Sequence, residues 1–315
     1  MKHTICSLAA MGALALPACH DSLDEQRFAP VARVEFEPIA EMSGIIRQYG
    51  SDIYWVHNDS GDQPRIFAID LDGNTVVPDA LRDRFYGDQP EPGKSPWPGI
   101  HIEGAENVDW EDMASDGLHL YLADVGNNFN NRRDLGIYQV RWTEIGEKES
   151  AAVNRHIPVS YPEQDSFPSA NRHFDSESLF FANGSLYLIT KHRMPLPSNA
   201  MAPGANLYRL DTMDEDQDNS LTLIDHHPGV TAATAADLSP NNSRLAVLTY
   251  SALWVFERPE IADLWLSSSA RRLDFPEDSV GQVEAVVWED SDTLIFTNEQ
   301  RNIYRVTLDQ FQLVN

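Results

Sequence analysis

The sequence is poor in basic residues. Of its 315 residues only 23 are Lys or Arg, against 49 Asp or Glu, and the formal net charge is −26. Binding to nucleic acid or to an anionic membrane surface requires clustered positive side chains that neutralise phosphate. The composition therefore argues against both partners. It permits cation binding or simply a soluble surface.

Cysteine is almost absent, and both cysteines lie near the N-terminus. Residues 5–16 form an apolar run of signal-peptide length that is too short to span a bilayer. The next four residues, Leu16-Pro17-Ala18-Cys19, resemble a bacterial lipobox, in which the cysteine is lipidated and becomes the first mature residue. Cleavage by ordinary signal peptidase nearby is the alternative. Because Cys6 would be removed, we expect a mature protein without disulfides.

These features predict a signal peptide over 1–18, a polar tether over 19–30 and a single folded domain over 31–315. The residue after Cys19 is His20, where an acidic residue would favour retention at the inner membrane. We therefore expect an exported monomer that is anchored in the bacterial envelope, at the outer membrane, through lipid on Cys19 alone.

Signatures of common enzymes are also missing. The chain has no Gly-x-Ser-x-Gly, His-Glu-x-x-His, P-loop or Gly-x-Gly-x-x-Gly pattern. Acidic residues are abundant, so composition does not exclude a glycosidase-like carboxylate pair, but no pair stands out. No catalytic residue is assigned.

Three short segments recur five times along the chain. Each unit has a segment that changes from polar to apolar, an apolar strand with polar residues at its end, and a strand with an aromatic at its second position. The first segments are 41–46, 109–114, 175–180, 234–239 and 282–287; the second are 53–59, 120–125, 186–191, 245–250 and 294–299; the third are 66–71, 137–140, 207–210, 253–256 and 303–306. Their Val, Ile, Leu and aromatic content, with turn residues between them, indicates strands.

The repeat predicts an all-β fold, a β-propeller of five four-stranded blades. Weaker fourth strands are expected around 100–102, 156–159, 221–224 and 272–273. Few residues follow the fifth repeat, so we expect an N-terminal strand at 31–36 to close the ring. A β-sandwich does not explain the fivefold repeat. A sixth blade could occupy 73–104, but the Pro and Gly content there favours a loop.

In a propeller the first strand of each blade lines the central channel. Alignment makes Ser43, Glu111, Glu177, Ala236 and Glu284 equivalent, and two residues earlier come Glu41, Asp109, Asp175, Thr234 and Gln282. Six carboxylates would then face one tunnel, where mutual repulsion would force proton uptake. A hard cation such as Ca²⁺, which accepts six to eight oxygens from carboxylates, hydroxyls, backbone carbonyls and water, would relieve that repulsion.

Three alternatives to this cation site remain open. Neighbouring Arg and Lys side chains could neutralise the acids, or some acids could face solvent at the tunnel mouth. The strand register could also slip by one residue, which would turn Asp112 and Asp237 inward.

Loops at the same end of the predicted ring carry polar and basic residues. We expect these loops to bind a small-molecule or protein ligand, and an acidic tunnel beside a few cations could hold a phosphate or carboxylate against a metal. Pairing with nearby acids is the ordinary role for any single cation. The candidate ligand-binding residues are His57, Asp59, Asp124, Asn127, Arg132, Arg133, Lys191 and Arg193.

A second, weaker calcium pattern lies at 214–225. Asp214, Asp216, Asp218 and Asp225 occupy positions 1, 3, 5 and 12 of a calcium loop. Position 6 is Asn219 rather than Gly, although Asn tolerates the left-handed backbone needed there. A hairpin turn rich in acids explains the same residues without a metal.

The five predicted blades, with Ser43, Glu111, Glu177 and Glu284 at the starts of innermost strands, resemble those of the soluble calcium-activated nucleotidase (apyrase) family. The segment KHRMPLPSNAMAPGANLYRL is similar to a basic loop of that family, and HNDSGD and DWEDMA resemble segments of uncharacterised bacterial propeller lipoproteins. The resemblance implies a five-bladed propeller with calcium held by Ser43, Glu111, Glu177 and Glu284. Ala236 departs from the family's Ser. We expect a calcium-bearing binding module, and a calcium-dependent hydrolase of phosphate esters or anhydrides is the alternative, with Arg132, Arg133, Lys191 and Arg193 as phosphate clamps.

Overall fold

The computed structural model describes residues 28–261 and 263–314, and the described chain is almost entirely strand and loop. The predicted all-β class is confirmed. The signal peptide, Cys19 and most of the tether fall outside the described residues. Within the described residues, helical structure is limited to four 3₁₀ turns, at Asp79–Leu81, Trp142–Glu144, Trp265–Ser267 and Leu308–Gln310. None of the described helices is long and apolar enough to cross a membrane.

A short strand, β1 (Ala32–Arg33), precedes five successive groups of strands. The first group contains β2 (Met42–Arg47), β3 (Tyr54–Asn58), β4 (Arg65–Ile69), the short pair β5 (Phe85–Tyr86) and β6 (Ser95–Pro96), and β7 (Ile100–Glu103). The second contains β8 (Trp110–Ser115), β9 (His119–Asp124), β10 (Gly136–Arg141) and β11 (Ser150–Ser160). The third contains β12 (Ser176–Ala182), β13 (Ser185–Thr190), β14 (Pro203–Leu210), β15 (Asn219–Ser220) and β16 (Thr222–Thr231).

The last two groups complete the chain. The fourth contains β17 (Ala233–Leu238), β18 (Arg244–Thr249), β19 (Ala252–Glu257) and β20 (Ala270–Asp274). The fifth contains β21 (Val283–Trp288), β22 (Thr293–Asn298) and β23 (Asn302–Thr307), and β24 (Gln312–Val314) follows it. The strands fall where the three repeated segments and the weaker fourth segments predict them.

Within each group the main strands pair antiparallel in chain order, whereas β5 pairs with β6 in parallel and β15 pairs in parallel with β11 of the second group. The first strands of the groups contact one another in cyclic order, from β2 through β8, β12, β17 and β21 back to β2. Strand β1 pairs with β23, with Ala32 opposite Ile303. The N-terminus therefore supplies the outer strand of the fifth group, over a shorter span than the predicted 31–36. The result is a nearly closed, barrel-like ring of sheets.

The sheets are not five independent four-stranded units. Strand β7 pairs in parallel with β11, which joins four strands of the first group to the four of the second. Strand β15 adds a ninth strand to this sheet through β11, and β24 adds a fifth strand to the fourth group. Between β4 and β7 the only strands are the two-residue β5 and β6, beside the 3₁₀ turn Asp79–Leu81, as expected for a loop region rich in Pro and Gly. The prediction of five separate four-stranded blades is therefore met only in part.

Apolar side chains fill the spaces between neighbouring groups. One cluster joins the first group to the second and fifth, and three others lie between the second and third, third and fourth, and fourth and fifth groups. Trp110, Trp265 and Trp288 are among the largest fully buried side chains in these layers. Burying both faces of the central strands explains why they lack polar–apolar alternation. This packing fixes the first strands around the central axis, where the candidate site lies.

Candidate functional site

A β-bulge interrupts the first strand of every group at the same position. The extra residues are Ser43, Glu111, Glu177, Thr234 and Glu284. A bulge sets two residues opposite one on the partner strand and re-aims the side chain there. The fivefold equivalence predicted for Ser43, Glu111, Glu177 and Glu284 is thus present in the backbone itself.

The bulge corrects the alignment of the fourth repeat. Thr234, and not Ala236, occupies the position of the four other residues. The segment 231–237 reads TAATAAD, so its small residues provide no periodicity from which the register could be fixed. The Oγ1 of Thr234 is buried and has no hydrogen-bond partner among the described residues. The mismatch between Ala236 and the Ser of the nucleotidase family came from this misalignment. The equivalent residue, Thr234, carries a hydroxyl.

Four of the five bulge residues line one central cavity. Ser43, Glu111, Glu177 and Glu284 share a cavity of about 240 Å³ with Asp59 and Asp109. The structure therefore brings together all four predicted metal residues. Of the other predicted inward-facing acids, Glu41 is exposed and Asp175 is buried beside the cavity in an ion pair.

Three carboxylates in this cavity form a compact cluster. Asp59, Asp109 and Glu111 each offer an oxygen, and these oxygens all lie within 4.8 Å of one another; no other group of three such residues is found in the described chain. Asp59 follows β3, and its N–H donates to the Glu41 carbonyl at 3.0 Å. Asp109 precedes β8, and its N–H donates to the Asp124 carboxylate at 3.0 Å. Backbone contacts thus fix two of the three residues, and the bulge fixes Glu111.

Gly126 leaves the space that the cluster occupies. A Cβ atom built at Gly126 would lie 2.1 Å from Oε1 of Glu111 and 2.4 Å from Oδ2 of Asp109. The Gly126 N–H donates to the Asp109 carbonyl at 3.2 Å, so the backbone cannot easily move away. A residue with a side chain would displace the two carboxylates. Gly126 therefore belongs to the site, although the sequence analysis did not assign it.

The carboxylates of the cavity resist ionisation. Burial raises the pKa of Glu111 well above its usual value, and the charges of Glu177 and Asp109 add to the effect. Burial and the charges of Asp59 and Asp175 raise the pKa of Asp109 to about 6. The predicted repulsion among converging acids is therefore present in the structure. A bound cation would favour the ionised forms.

Lys191 neutralises the opposite side of the cavity. Its ammonium donates to both carboxylate oxygens of Glu177, and both side chains are almost fully buried. A third bond runs from Nζ to the Tyr250 hydroxyl at 2.7 Å. Tyr250 in turn donates to Oε1 of Glu284 at 3.3 Å. Neutralisation by a neighbouring cation, the first alternative from the sequence, thus applies to Glu177.

Glu284 is held by neutral donors. The Gln282 side-chain amide donates to its Oε1 at 2.7 Å, in addition to Tyr250. Burial raises the pKa of Glu284 to about 7, against the opposing field of Lys191.

Two predicted ligand-binding arginines form ion pairs that shape the loops. Arg193 Nε lies 3.1 Å from Oδ2 of Asp175, whose other oxygen accepts the Asn127 N–H at 2.7 Å. Arg132 Nη1 lies 2.9 Å from the Asp124 carboxylate that also holds Asp109. These arginines position the cavity walls. Arg193 itself lines the cavity.

Three other predicted ligand-binding residues lie away from the cavity. His57 is fully buried at 5.6 Å from the Trp110 ring, and burial lowers its pKa to about 4. Asn127 is buried and its amide donates to the Phe174 carbonyl at 2.8 Å. Arg133 stacks 3.7 Å from the Phe167 ring centroid and lines a separate cavity of about 270 Å³. Of the eight candidates, Asp59, Lys191 and Arg193 line the central cavity.

The weaker calcium loop is not assembled. Asp218 binds the Ser160 hydroxyl, whereas Asp225 accepts the Ser267 hydroxyl at 2.6 Å on another element. Asn219 lies in strand β15, without the left-handed backbone that position 6 requires. Its side chain organises the turn instead, with an oxygen that accepts the Asp214 N–H at 3.0 Å. Asp214, Asp216, Asp218 and Asp225 therefore form no common site in the described chain.

Asp112 and Asp237, the residues of the alternative register, bind backbone. Asp112 Oδ2 accepts the N–H of Leu179 at 2.8 Å and of Ala236 at 3.1 Å. Asp237 Oδ2 accepts the Trp288 N–H at 2.8 Å. The bulge lets Glu111 face the cavity while the next residue ties neighbouring first strands together. Both aspartates are structural, and the register drawn for Glu111 is the one found.

Sequence reasoning missed several residues that line the cavity, namely Ser60, Asn128, Met201 and Tyr250. Tyr250 ends the second strand of the fourth repeat, directly after the position equivalent to Asp124, and that alignment was the available signal. Ser60 and Asn128 lie in loops whose course the sequence does not specify. Lys191 holds the same position after β13 that Tyr250 holds after β18, since Thr190 pairs with Ser176 as Thr249 pairs with Ala233, and it was a candidate from the sequence.

Comparisons with known proteins place the chain in no family. No protein-family model and no curated protein matches it. Among solved structures it is similar to a luciferin-regenerating enzyme, with 11% identity, a TM-score of 0.48, and coverage of 91% of this chain and 80% of that one. It is also similar to a functionally unknown protein from Desulfotomaculum acetoxidans, with 10% identity, a TM-score of 0.40, and coverage of 87% and 70%. Both are distant, and membership of the nucleotidase family is not shown.

Proposed function

We propose that the protein is a five-bladed β-propeller of the bacterial envelope that binds a divalent cation, Ca²⁺ by preference, in its central cavity. The cation-bearing end of the ring then recognises a small-molecule or protein ligand. The cyclic order of the five first strands and the pairing of β1 with β23 support the propeller. The lipobox-like motif at Cys19 supports an exported lipoprotein.

The cluster of Asp59, Asp109 and Glu111 carries the proposal. Two oxygens bound to one Ca²⁺ can stand at most about 5 Å apart, because each Ca–O distance is about 2.3–2.6 Å. The three carboxylates meet this limit without rearrangement. Carboxylate donors without His or Cys favour a hard cation over zinc or copper. Ser43, Ser60 and Asn128 line the same cavity and offer further oxygens.

The hydrolase alternative receives less support from the geometry. Arg132 pairs with Asp124, Lys191 with Glu177 and Arg193 with Asp175. Arg133 lines another cavity. Lys191 and Arg193 line the cavity of the carboxylate cluster but are paired with acids there, and Arg132 lines the other cavity together with Arg133, so the four expected phosphate clamps do not form one site. Phosphate release from nucleoside di- or triphosphates that needs Ca²⁺ and is lost in Glu111→Gln would reverse this choice.

Thermal unfolding in Ca²⁺ and in EGTA tests the cation site. We expect Ca²⁺ to raise the Tm of the wild-type protein, because a ligand that binds only the folded state stabilises it by mass action. The pair Asp109→Asn with Glu111→Gln should lose this rise. Glu277→Gln removes an exposed carboxylate and is the matched control. A wild-type Tm that is the same in millimolar Ca²⁺ and in EGTA would rule out the site.

A further inference from the structure

The cavity contains a cation that belongs to the chain. Lys191 has a side-chain exposure of 2%, and its three donors are taken by the two oxygens of Glu177 and the hydroxyl of Tyr250. An ammonium has three donors and no acceptor, so it is fully satisfied in this position. The carboxylate expected to hold a metal is thereby already paired.

The predicted ligand set of Ser43, Glu111, Glu177 and Glu284 therefore does not fit one metal ion. Both carboxylate oxygens of Glu177 accept hydrogen bonds from Lys191, and Glu284 accepts hydrogen bonds from Tyr250 and Gln282. Glu111 instead lies with Asp59 and Asp109. The cavity therefore has two sides. Asp59, Asp109 and Glu111 form a carboxylate cluster on one side, and Lys191 neutralises Glu177 on the other.

We infer that Lys191 is a built-in counter-cation that occupies the Glu177 side of the cavity and confines divalent cations to Asp59, Asp109 and Glu111. This inference rests on the proposed cation-binding function and specifies how many ions the cavity accepts. The Lys191 N–H donates to the Asp175 carbonyl at 2.7 Å, which fixes the base of the side chain. A tethered ammonium does not dissociate, so this half of the cavity stays neutralised at any Ca²⁺ concentration.

Removal of the ammonium should open a second cation site. In Lys191→Met the apolar chain remains while Glu177 loses its partner, and the nearest remaining cation, Arg193, is 4.0 Å away. Glu177 and Glu284 line the same cavity, and the Tyr250 hydroxyl links them by accepting from Lys191 and donating to Glu284. Glu177 without its bound ammonium, together with the neighbouring Glu284, provides the hard oxygen donors that Ca²⁺ prefers.

The test counts bound ions by equilibrium dialysis with Ca²⁺ and by luminescence of Tb³⁺, which replaces Ca²⁺ and is excited through nearby tyrosine such as Tyr250. We expect one ion per wild-type chain and two in Lys191→Met. Adding Glu177→Gln to Lys191→Met should return the count to one. Lys148→Met, which changes an exposed lysine, should keep one. If Lys191→Met folds only when refolded with Ca²⁺, the count is made on that material.

Glu177→Gln in the wild-type background gives an independent measurement. We expect it to retain one ion, because Lys191 and not the metal uses Glu177. Loss of that ion, or an unchanged count and affinity in Lys191→Met, would overturn the inference and leave the proposed function standing. Binding by Lys191→Met alone, with none by the wild-type protein, would support the role of Lys191 and overturn the proposed function.

Discussion

The backbone at Gly126 lies directly against the Glu111 carboxylate, and a Cβ atom there would come within 2.1 Å of Oε1. We therefore expect Gly126→Ala to displace Glu111 and Asp109 and to abolish the stabilisation by Ca²⁺. Overpacking of this kind costs about 1–3 kcal/mol of folding free energy. Urea unfolding with and without Ca²⁺ measures both effects.

Gly229→Ala is the matched control for that experiment. Gly229 is exposed, has no positive φ, and its Cβ would meet only the His227 ring, at 3.2 Å, and Trp254. The Gly229→Ala protein should still be stabilised by Ca²⁺ in urea unfolding. A Gly126→Ala protein that retains the wild-type Ca²⁺ response would show that the cluster does not bind the ion.

Substitution of Asp112 should strongly lower the free energy of unfolding. Its Oδ2 accepts N–H groups from two neighbouring first strands, at Leu179 and Ala236, and its Oδ1 accepts the Met113 N–H at 2.8 Å. Asp112→Ala leaves these buried donors unpaired, at about 1–3 kcal/mol for each group. Asp112→Asn keeps one oxygen acceptor, so its loss of folding free energy should be much smaller than that of Asp112→Ala. Urea unfolding compares the two, and equal losses would contradict the bridging role.

Asp237 should make stability depend on pH. Burial raises its pKa from 3.8 to about 7, against the hydrogen bond from Trp288. The folded state therefore holds a proton that the unfolded chain releases. This contribution is complete below pH 3.8 and is lost as pH rises through about 7.

Asp237→Asn stays neutral and should remove that dependence. Its amide oxygen can still accept the Trp288 N–H, so we expect a gain of about 1–3 kcal/mol at pH 8 and a flatter profile between pH 4 and 8. Asp83→Asn changes an exposed aspartate and should leave the wild-type slope unchanged. Chemical denaturation at several pH values provides the measurement, and a Asp237→Asn profile as steep as that of the wild type would contradict it.

Cys19 should determine where the protein is found. If its thiol carries lipid, Cys19→Ser will move the protein from the membrane fraction to the soluble fraction of the envelope. Immunoblotting of fractionated cells shows the distribution. An unchanged membrane fraction would mean that the lipobox-like motif is not used.

The sequence predicted the strands well because short apolar runs between turn residues are a local signal. The fivefold equivalence of Ser43, Glu111, Glu177 and Glu284 followed from the same repetition. The fourth repeat was misaligned by two residues because its Ala and Thr residues do not distinguish inward from outward positions. The spacing of the weaker calcium pattern likewise does not show that Asp218 and Asp225 bind serines on other elements.

By itself the sequence determined the all-β class, the five repeats and the concentration of acids at one register, because these depend on local composition and periodicity. Only the tertiary structure decided which acids meet and which are neutralised. The β-bulges direct Glu111 into the cavity, Gly126 leaves room for it, and Lys191 reaches Glu177 from a loop after β13. Such contacts join residues from different strands and loops. Lys191 therefore neutralises Glu177 only when the ring of sheets is assembled.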